Sequence, residues 1–276
     1  MASAPPVRYI SAVIEKGSER WGALVSLVAD NREVGWGGKT VLVSGVDVAD
    51  ATKAELVDWL SLQWRPAGPL LAYALHIGGL VHLDERPGYR TTMNQSAIVY
   101  ADGAATVILG RFRGGNLERS ATTDIAPAVL AKWVLAGDMP RIALLGGPDN
   151  LAGKAGDELE RLGLGTIVYS GSGFGADWPG ELAKISDAAP DVFFVGMGAP
   201  REMNWCEEYF SELPHCIVMT CGGWFGFLAG EERRAPTWAQ FCGCEWVWRL
   251  AQNPSHLLER YMKGLLTFAK KLLQRS

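Results

Sequence analysis

The chain has 276 residues, of which 48% are hydrophobic and 20% charged, which excludes a disordered protein and allows a sizeable core. Its net charge of −4 argues against nucleic acid as the main partner. No apolar run reaches the roughly 20 residues of a membrane-spanning helix, and the N-terminus lacks the pattern of a secretory signal, so we expect a cytoplasmic protein. The five cysteines fit neither a disulfide framework nor a zinc site.

The N-terminal part of the chain predicts an extension followed by a strand, a helix and a second strand. Residues 1–38 carry little pattern and are interpreted as an N-terminal extension. Residues 39–48 predict one strand, residues 51–63 have helical spacing, and residues 70–77 predict a buried strand that ends near His76.

The next landmark is the pair Asp102-Gly103, which follows a short predicted strand at residues 97–100. An isolated Asp-Gly pair is typical of a turn, and residues 106–109 would then form the second strand of a hairpin. The alternative is functional, because a carboxylate at the end of a strand can face a cleft.

The second half of the chain repeats one pattern, a buried strand, a glycine loop and a helix. Alternating elements with glycines at the strand ends indicate a parallel, Rossmann-like α/β sheet with right-handed crossovers. The strand and loop segments are residues 141–147, 166–175, 192–197 and 215–223.

The loop Gly198-Ala199-Pro200 lies between an apolar strand and a helix that begins near Arg201. Such a loop exposes backbone N–H groups at a helix N-terminus, where a phosphate can bind, and ligands of open parallel sheets bind at this edge. The dinucleotide fingerprint, Walker A and D-x-D motifs are all missing, so neither a nicotinamide dehydrogenase nor a carboxylate-held metal–nucleotide complex is favoured.

The C-terminal tail predicts an amphipathic helix from residue 255 onward, with an apolar stripe beside Lys263, Lys270 and Lys271. Such a helix can lie on an anionic membrane surface. It can equally pack on its own domain with its lysines in water, and the sequence leaves both arrangements open.

Two long segments resemble one family, the WecG/TagA/CpsF glycosyltransferases. They are GMGAPREMNW at 196–205 and FLAGEERRAPTWAQFCGCEWVWRLAQNP at 227–254, which follow the family's pattern of G-x-G-x-P, R-A-P and E-W-x-x-R-L. Asp102-Gly103 stands where the family has P-D-G, and the similarity runs from about residue 40 to residue 261.

The resemblance implies an α/β fold of the GT-E kind, with a core at 39–235 and a C-terminal helical appendage at 236–276. It implies an inverting, metal-independent transfer of N-acetylmannosamine, or its uronic acid, from a UDP-sugar. The usual acceptor is N-acetylglucosamine on undecaprenyl diphosphate, at the inner face of the membrane. The UDP-sugar is a co-substrate and no cofactor is expected.

The resemblance also assigns residues to roles. Asp102 would be the base that takes the proton of the acceptor hydroxyl. The family has another residue at the position of His76, and we interpret His76 from its own chemistry: imidazole titrates near neutral pH, so His76 would be a second acid/base group unless it only bonds to backbone. Donor-nucleotide binding falls to Gly146, Gly147, Gly173, Phe174, Gly198, Ala199, Pro200, Glu202 and Gly222. Diphosphate binding falls to Arg234, Arg249 and Arg260.

Several positions depart from the family pattern and keep alternatives open. His76-Ile77-Gly78 replaces the family's T-x-N, and Glu202-Met203 replaces its Q-E pair. These changes motivate a second hypothesis, a transferase with a soluble acceptor in specialised metabolism, and a third, a nucleotide-binding protein without catalysis. The oligomeric state stays open, a homo-oligomer included.

Overall fold

The computed structural model describes residues 35–175, 177–233, 235–236, 245–252 and 254–274. The predicted extension at residues 1–38 and much of the boundary between core and appendage lie outside these ranges. The strands are β1 (Thr40–Val43), β2 (Val46–Ala49), β3 (Leu70–Leu75), β4 (Ile98–Ala101), β5 (Arg141–Gly146), β6 (Thr166–Gly171), β7 (Val192–Gly196) and β8 (Ile217–Thr220).

The helices of the described residues follow the strands in regular order. They are α1 (Lys53–Leu62), α2 (Ile77–Glu85), α3 (Pro87–Gln95), α4 (Ala104–Phe112), α5 (Thr122–Leu135), α6 (Leu151–Arg161), α7 (Trp178–Asp187), α8 (Arg201–Glu208), α9 (Trp224–Leu228), α10 (Glu245–Gln252) and α11 (Pro254–Leu273), with a 3₁₀ turn at Phe210–Glu212.

Six strands form one parallel sheet in the order β4-β3-β8-β7-β5-β6, which confirms the predicted α/β class. Strands β3, β4, β7 and β8 are buried at every residue, because helices cover both faces of the sheet. This double burial explains why their sequences are continuous apolar runs and not alternating ones.

The helices divide between the two faces. Helices α1, α5, α6 and α9 share one apolar layer, and α2, α3, α4, α7 and α8 share the other. The helix after β5 therefore lies on one face and the helix after β7 on the opposite face, although β5 and β7 are neighbours. This reversal opens a crevice at their carboxyl ends, the usual place for a ligand in such sheets.

Two predictions about local structure were wrong. Residues 39–48 form the antiparallel hairpin β1–β2, because Ser44 and Gly45 turn the chain with φ of 56° and 80°. Residues 106–109 belong to α4 and not to a hairpin strand. Residues Thr106, Val107, Leu109 and Gly110 are buried on one helical face, so a period near 3.6 applies there.

The C-terminal helix α11 is docked on α2 and α4 along one face. A Cβ at Gly264 would lie 2.8 Å from Ile77 Cγ1, so the helices meet closely at this point. Lys271, only 5% exposed, donates to Asp84 at 2.7 Å, while Phe268 and Leu272 pack on the core. Lys271 therefore belongs to the docked face and does not join the exposed basic residues of the tail.

Candidate active site

His76 and Asp102 are brought together at the carboxyl ends of the adjacent strands β3 and β4. The N–H of Asp102 donates to the Leu75 carbonyl at 3.1 Å, which fixes the strand end. A Cβ at Gly103 would lie 3.5 Å from His76 Cβ, so the two loops are in contact. Both side chains are partly exposed, which makes them accessible to a substrate.

His76 is also the N-cap of α2. Its Nδ1 accepts a hydrogen bond from the Gly78 N–H at 3.0 Å, so Nδ1 carries a lone pair. The proton of the neutral ring then sits on Nε2. This is the hydrogen bond to backbone that the sequence left as an alternative. Any proton exchanged with a substrate would therefore pass through Nε2.

Asp102 lies at the start of α4 in a strand-to-helix loop and not in a hairpin turn. The buried hydroxyl of Thr106, in the first turn of α4, donates to the Leu75 carbonyl at 2.8 Å. Two donors from the Asp102 loop and α4 thus converge on the last residue of β3. The backbone that carries Asp102 is therefore held against the end of β3.

A buried hydroxyl network lies behind these residues and was not expected from the sequence. The Tyr100 hydroxyl donates to Thr122 Oγ1 at 2.6 Å, and Thr122 donates to the Thr220 carbonyl at 2.9 Å. Thr220 Oγ1 accepts the Ala74 N–H at 3.2 Å. Burial raises the pKa of Tyr100 well above its ordinary value, so the phenol is neutral. The network joins β3, β4, β8 and α5 beneath the site.

Glu202 is the buried carboxylate of the second half of the site, with 2% of its surface exposed. Its Oε2 accepts the N–H of Gly198 at 3.1 Å and the N–H of Gly222 at 3.0 Å. The loops after β7 and β8 are therefore held together by charge-assisted hydrogen bonds. The sequence predicted that Glu202 binds the donor nucleotide. In the structure, its two hydrogen bonds to backbone hold the loops that follow β7 and β8.

The glycine loops after β5, β6 and β7 touch one another. A Cβ at Gly146 would stand 2.2 Å from the Gly196 carbonyl, so no other residue fits there. The N–H of Gly173 donates to the Gly147 carbonyl at 2.8 Å. Gly198 has a φ of 73°, and none of the heavy atoms of the described residues lies within 4 Å of the position of a Cβ there. Its outer side is therefore open to a ligand.

An aromatic side chain stands at the rim of these loops. Phe174 is 67% exposed, and the Arg201 guanidinium lies 4.1 Å above its ring. Ser172 Oγ accepts the Phe174 N–H at 3.2 Å, which holds the loop in place. The geometry offers a flat apolar face and a cation at the crevice between β5 and β7.

The two halves of the site meet at the β7 loop. The Ala199 side chain would be 3.4 Å from a Cβ at Gly78, next to His76. The peptide bond between Ala199 and Pro200 is cis. The residues predicted for proton transfer and those predicted for donor binding thus line one continuous edge of the sheet.

Three of the predicted residues cannot be placed. Arg234 and the side chains of Arg249 and Arg260 lie outside the described residues. Among the residues that are described, no group of three or more His, Cys, Asp or Glu side chains forms a metal site. Burial raises the pKa of the free thiols of Cys206, Cys216 and Cys221, as expected for structural cysteines.

The fold and the edge define a class, the parallel α/β proteins that bind a ligand at the carboxyl ends of their strands, and comparison with known proteins gives the family. The model of the glycosyl transferase WecG/TagA/CpsF family matches residues 41–276. The chain belongs to this family, which confirms the resemblance in its motifs.

A curated relative is similar over part of its length. The chain is 25% identical over 174 residues to the N-acetylglucosaminyldiphosphoundecaprenol N-acetyl-beta-D-mannosaminyltransferase of Bacillus spizizenii. The match covers 62% of this chain and 66% of the relative.

Proposed function

We propose that this protein is an inverting glycosyltransferase that moves an N-acetylmannosamine-like sugar from a UDP donor to a sugar hydroxyl on a polyprenyl diphosphate. The observation that carries the proposal is the partly exposed Asp102 at the end of β4, on the same edge as the open glycine loops. Family membership and the name of the relative support the reaction class and the lipid-linked acceptor.

Asp102 would act as the general base. An acceptor hydroxyl loses its proton as its oxygen attacks the anomeric carbon, and a carboxylate within hydrogen-bond reach can take that proton. The bond from the anomeric carbon to the diphosphate oxygen breaks on the opposite side, so the configuration inverts. The contacts of β4 and α4 with Leu75 keep the carboxylate fixed for this step.

His76 would support this step through Nε2. Its Nδ1 is occupied by Gly78, so the neutral ring can offer only an N–H to the substrate. Such a donor can orient the acceptor sugar beside Asp102. A charged imidazolium would lose the Gly78 hydrogen bond, so neutral His76 fits the observed cap.

The UDP donor would lie along the glycine loops. The backbone around Gly198 and Gly222 can approach a diphosphate, because both residues lack a side chain and Glu202 holds both loops. Gly146, Gly147 and Gly173 would form the floor beside the nucleoside, with Phe174 at its rim. Arg234, Arg249 and Arg260 remain the proposed partners of the leaving diphosphate.

The tail would hold the protein at the inner face of the membrane. Away from its docked face, α11 exposes five large apolar side chains, which we call the tail stripe: Leu258, Met262, Leu265, Leu266 and Leu273. Lys263 and Lys270 are exposed on the same helix and can meet anionic headgroups. Among the described residues, no helix is long and apolar enough to span a bilayer.

A soluble acceptor is the second candidate, and one observation favours it. The buried ion pair of Lys271 with Asp84 removes one lysine from any contact with lipid headgroups. Charge reversal of Lys263 and Lys270 separates the two candidates. If the acceptor is lipid-linked, the unmodified protein should bind anionic vesicles in a salt-sensitive way, and the charge-reversed variant should bind them more weakly. The variant should also lose more activity on a lipid acceptor than on a soluble analogue. If the acceptor is soluble, charge reversal should change neither property.

The experiment that tests the proposal joins binding and transfer. A thermal-shift series with UDP-, GDP-, ADP- and TDP-sugars should single out the UDP-sugars, since a ligand at 100 times its Kd adds about 2.7 kcal/mol of stability. Transfer to a diphosphate-linked N-acetylglucosamine should then persist in EDTA. Binding without any transfer would favour the non-catalytic alternative, and a requirement for Mg²⁺ or Mn²⁺ would contradict the arginine assignment.

A further inference from the structure

Three large apolar side chains are exposed next to one another on the outer side of α4 and the β1–β2 hairpin. Leu42 is 54% exposed, Ile108 46% and Phe112 75%. Ile108 and Phe112 are four residues apart on α4 and so share a face. Arg113 donates to the Leu42 carbonyl at 3.2 Å, which brings the hairpin to the end of the helix. We call Leu42, Ile108 and Phe112 the α4 patch.

The core does not explain this patch. The inner face of α4 already buries Val107 and Leu109, and a helix with one buried face normally carries polar residues on the other. Within the described part of the chain, the three side chains stay uncovered. Grouped exposed apolar residues of this kind mark a contact surface.

The charges around the α4 patch indicate what kind of surface it meets. Arg111 is exposed and Arg113 is half-buried, while the nearest acid on the hairpin is Asp47, opposite Leu42 in the strand register. Two arginines against one aspartate give the border of the patch an excess of positive charge in a chain whose net charge is −4. Apolar side chains bordered by arginines suit the boundary between acyl chains and anionic headgroups.

The position of the patch relative to the site points the same way. Helix α4 begins directly after Asp102-Gly103, and Phe112 lies about 12 Å farther along the helix axis. The tail helix α11 packs beside α2 and α4, the two helices that start at His76 and at the Asp102 loop. The tail stripe and the α4 patch therefore belong to adjacent elements on the face of the sheet that carries α2 and α4.

We propose that the α4 patch is a second membrane-contacting surface, which inserts Phe112 and Ile108 among the headgroups of an anionic bilayer. Together with the tail stripe it would hold the Asp102 end of the site at the level of a lipid-linked diphosphate. The inference rests on the proposed lipid-linked acceptor, and it assigns the contact to α4 and β1 in addition to the tail.

The test compares two double variants on vesicles of phosphatidylglycerol and phosphatidylcholine. Ile108→Ser with Phe112→Ser should lower the vesicle partition coefficient at least about tenfold, because two large apolar side chains lose their burial. The matched control is Leu135→Ser with Met139→Ser, at and beyond the end of α5, where the side chains are 54% and 53% exposed. The control should bind vesicles as the unmodified protein does.

A charge variant separates the two components of binding. Arg111→Glu should weaken binding to vesicles with phosphatidylglycerol and leave the weaker binding to pure phosphatidylcholine unchanged. Equal loss on both lipids, or none on either, would contradict the basic contact.

Other occupants of the patch give different results, and each would overturn the inference. If the chain itself covers the patch, the Ile108/Phe112 variant melts at a lower temperature and still binds vesicles. If a second copy covers it, sedimentation velocity shows dissociation while vesicle binding persists. Transfer to a water-soluble acceptor is measured in parallel. If the variant loses vesicle binding and keeps transfer to the soluble acceptor, both proposals are supported. If the variant loses vesicle binding and the unmodified protein transfers to no acceptor, only the proposed function is contradicted.

Discussion

The two halves of the sheet edge are built from the same strand–loop–helix unit but end in different chemistry. Strands β3 and β4 are followed by His76 and Asp102, whose side chains face the edge from fixed positions. Strand β5 is followed by Gly147, and Gly198 lies two residues after the end of β7, so glycines and no titratable side chains follow these two strands. Proton transfer needs a titratable side chain, whereas a diphosphate can be approached closely by glycine backbone, so the proposed function would divide the edge into an acceptor half and a donor half.

The largest effect that this division predicts comes from Asp102. Asp102→Asn keeps the size of the side chain but removes its basicity, so turnover should fall roughly 10²–10⁴-fold with little change in donor affinity. Asp58→Asn, on α1 at the opposite face, is the matched control and should leave turnover as it was. Equal turnover of Asp102→Asn and the unmodified enzyme would take Asp102 out of the mechanism.

The next effect concerns the carboxylate that holds the donor half together. Glu202→Ala removes two charge-assisted hydrogen bonds and leaves the N–H groups of Gly198 and Gly222 without this acceptor, which should cost about 3 kcal/mol in the free energy of unfolding. Urea denaturation measures it, and donor affinity should fall as well. Glu158→Ala breaks an exposed pair with Arg161 and should cost under about 0.5 kcal/mol. Similar losses in both variants would contradict the buried role of Glu202.

A smaller effect comes from adding a methyl group at Gly198, and a second glycine shows whether the effect is due to backbone strain or to contact with the ligand. Gly198→Ala and Gly163→Ala both place a Cβ at positive φ, 73° and 68°, where the described part of the chain has no heavy atom within 4 Å. Each should cost about 1 kcal/mol of stability. Only Gly198→Ala should weaken UDP binding, by about tenfold, because its methyl group enters the open side of the loop. Calorimetric titration with UDP measures the affinity of both variants. Equal affinities would contradict the proposed binding of the donor at the Gly198 loop.

The smallest effect is a pH dependence outside the edge. Burial lowers the pKa of His82 below its ordinary value, against the opposing pull of Glu85 and Glu207 and with a small contribution from Arg86. The unfolded chain therefore binds the proton more readily, and stability should fall as pH drops below about 6.5. The contribution of His82 should be small, because its ring is only partly buried. His82→Gln should flatten the slope between pH 7 and pH 5, and an unchanged slope would contradict it.

The strands of the sheet and helix α4 show where sequence prediction succeeds and fails. The apolar runs predicted β3, β7 and β8 well, because strands covered on both faces leave a continuous signal. The α4 helix was missed, since the Asp102-Gly103 pair has the same local pattern in a hairpin turn and in a strand-to-helix loop. Only tertiary burial of Thr106 and its neighbours distinguishes the two.

The donor half was predicted from its glycines, but its buried support was not. Nothing in the sequence near Glu202 indicates that its carboxylate bonds to Gly222, which lies 20 residues away on another loop. The same holds for Lys271, which looks like a surface residue of an amphipathic helix until Asp84 is seen beside it. Contacts between distant segments leave no periodic signal, so motifs locate a site more readily than they reveal what holds it.

The measurement that tests the central claim most directly is the stereochemistry of the product. Transfer from UDP-N-acetylmannosamine to a soluble diphosphate-linked N-acetylglucosamine, in EDTA, yields a disaccharide whose new anomeric centre can be assigned by NMR. Direct attack by a hydroxyl deprotonated at Asp102 predicts the configuration opposite to that of the donor. A product with retained configuration, or transfer that stops in EDTA, would contradict the mechanism.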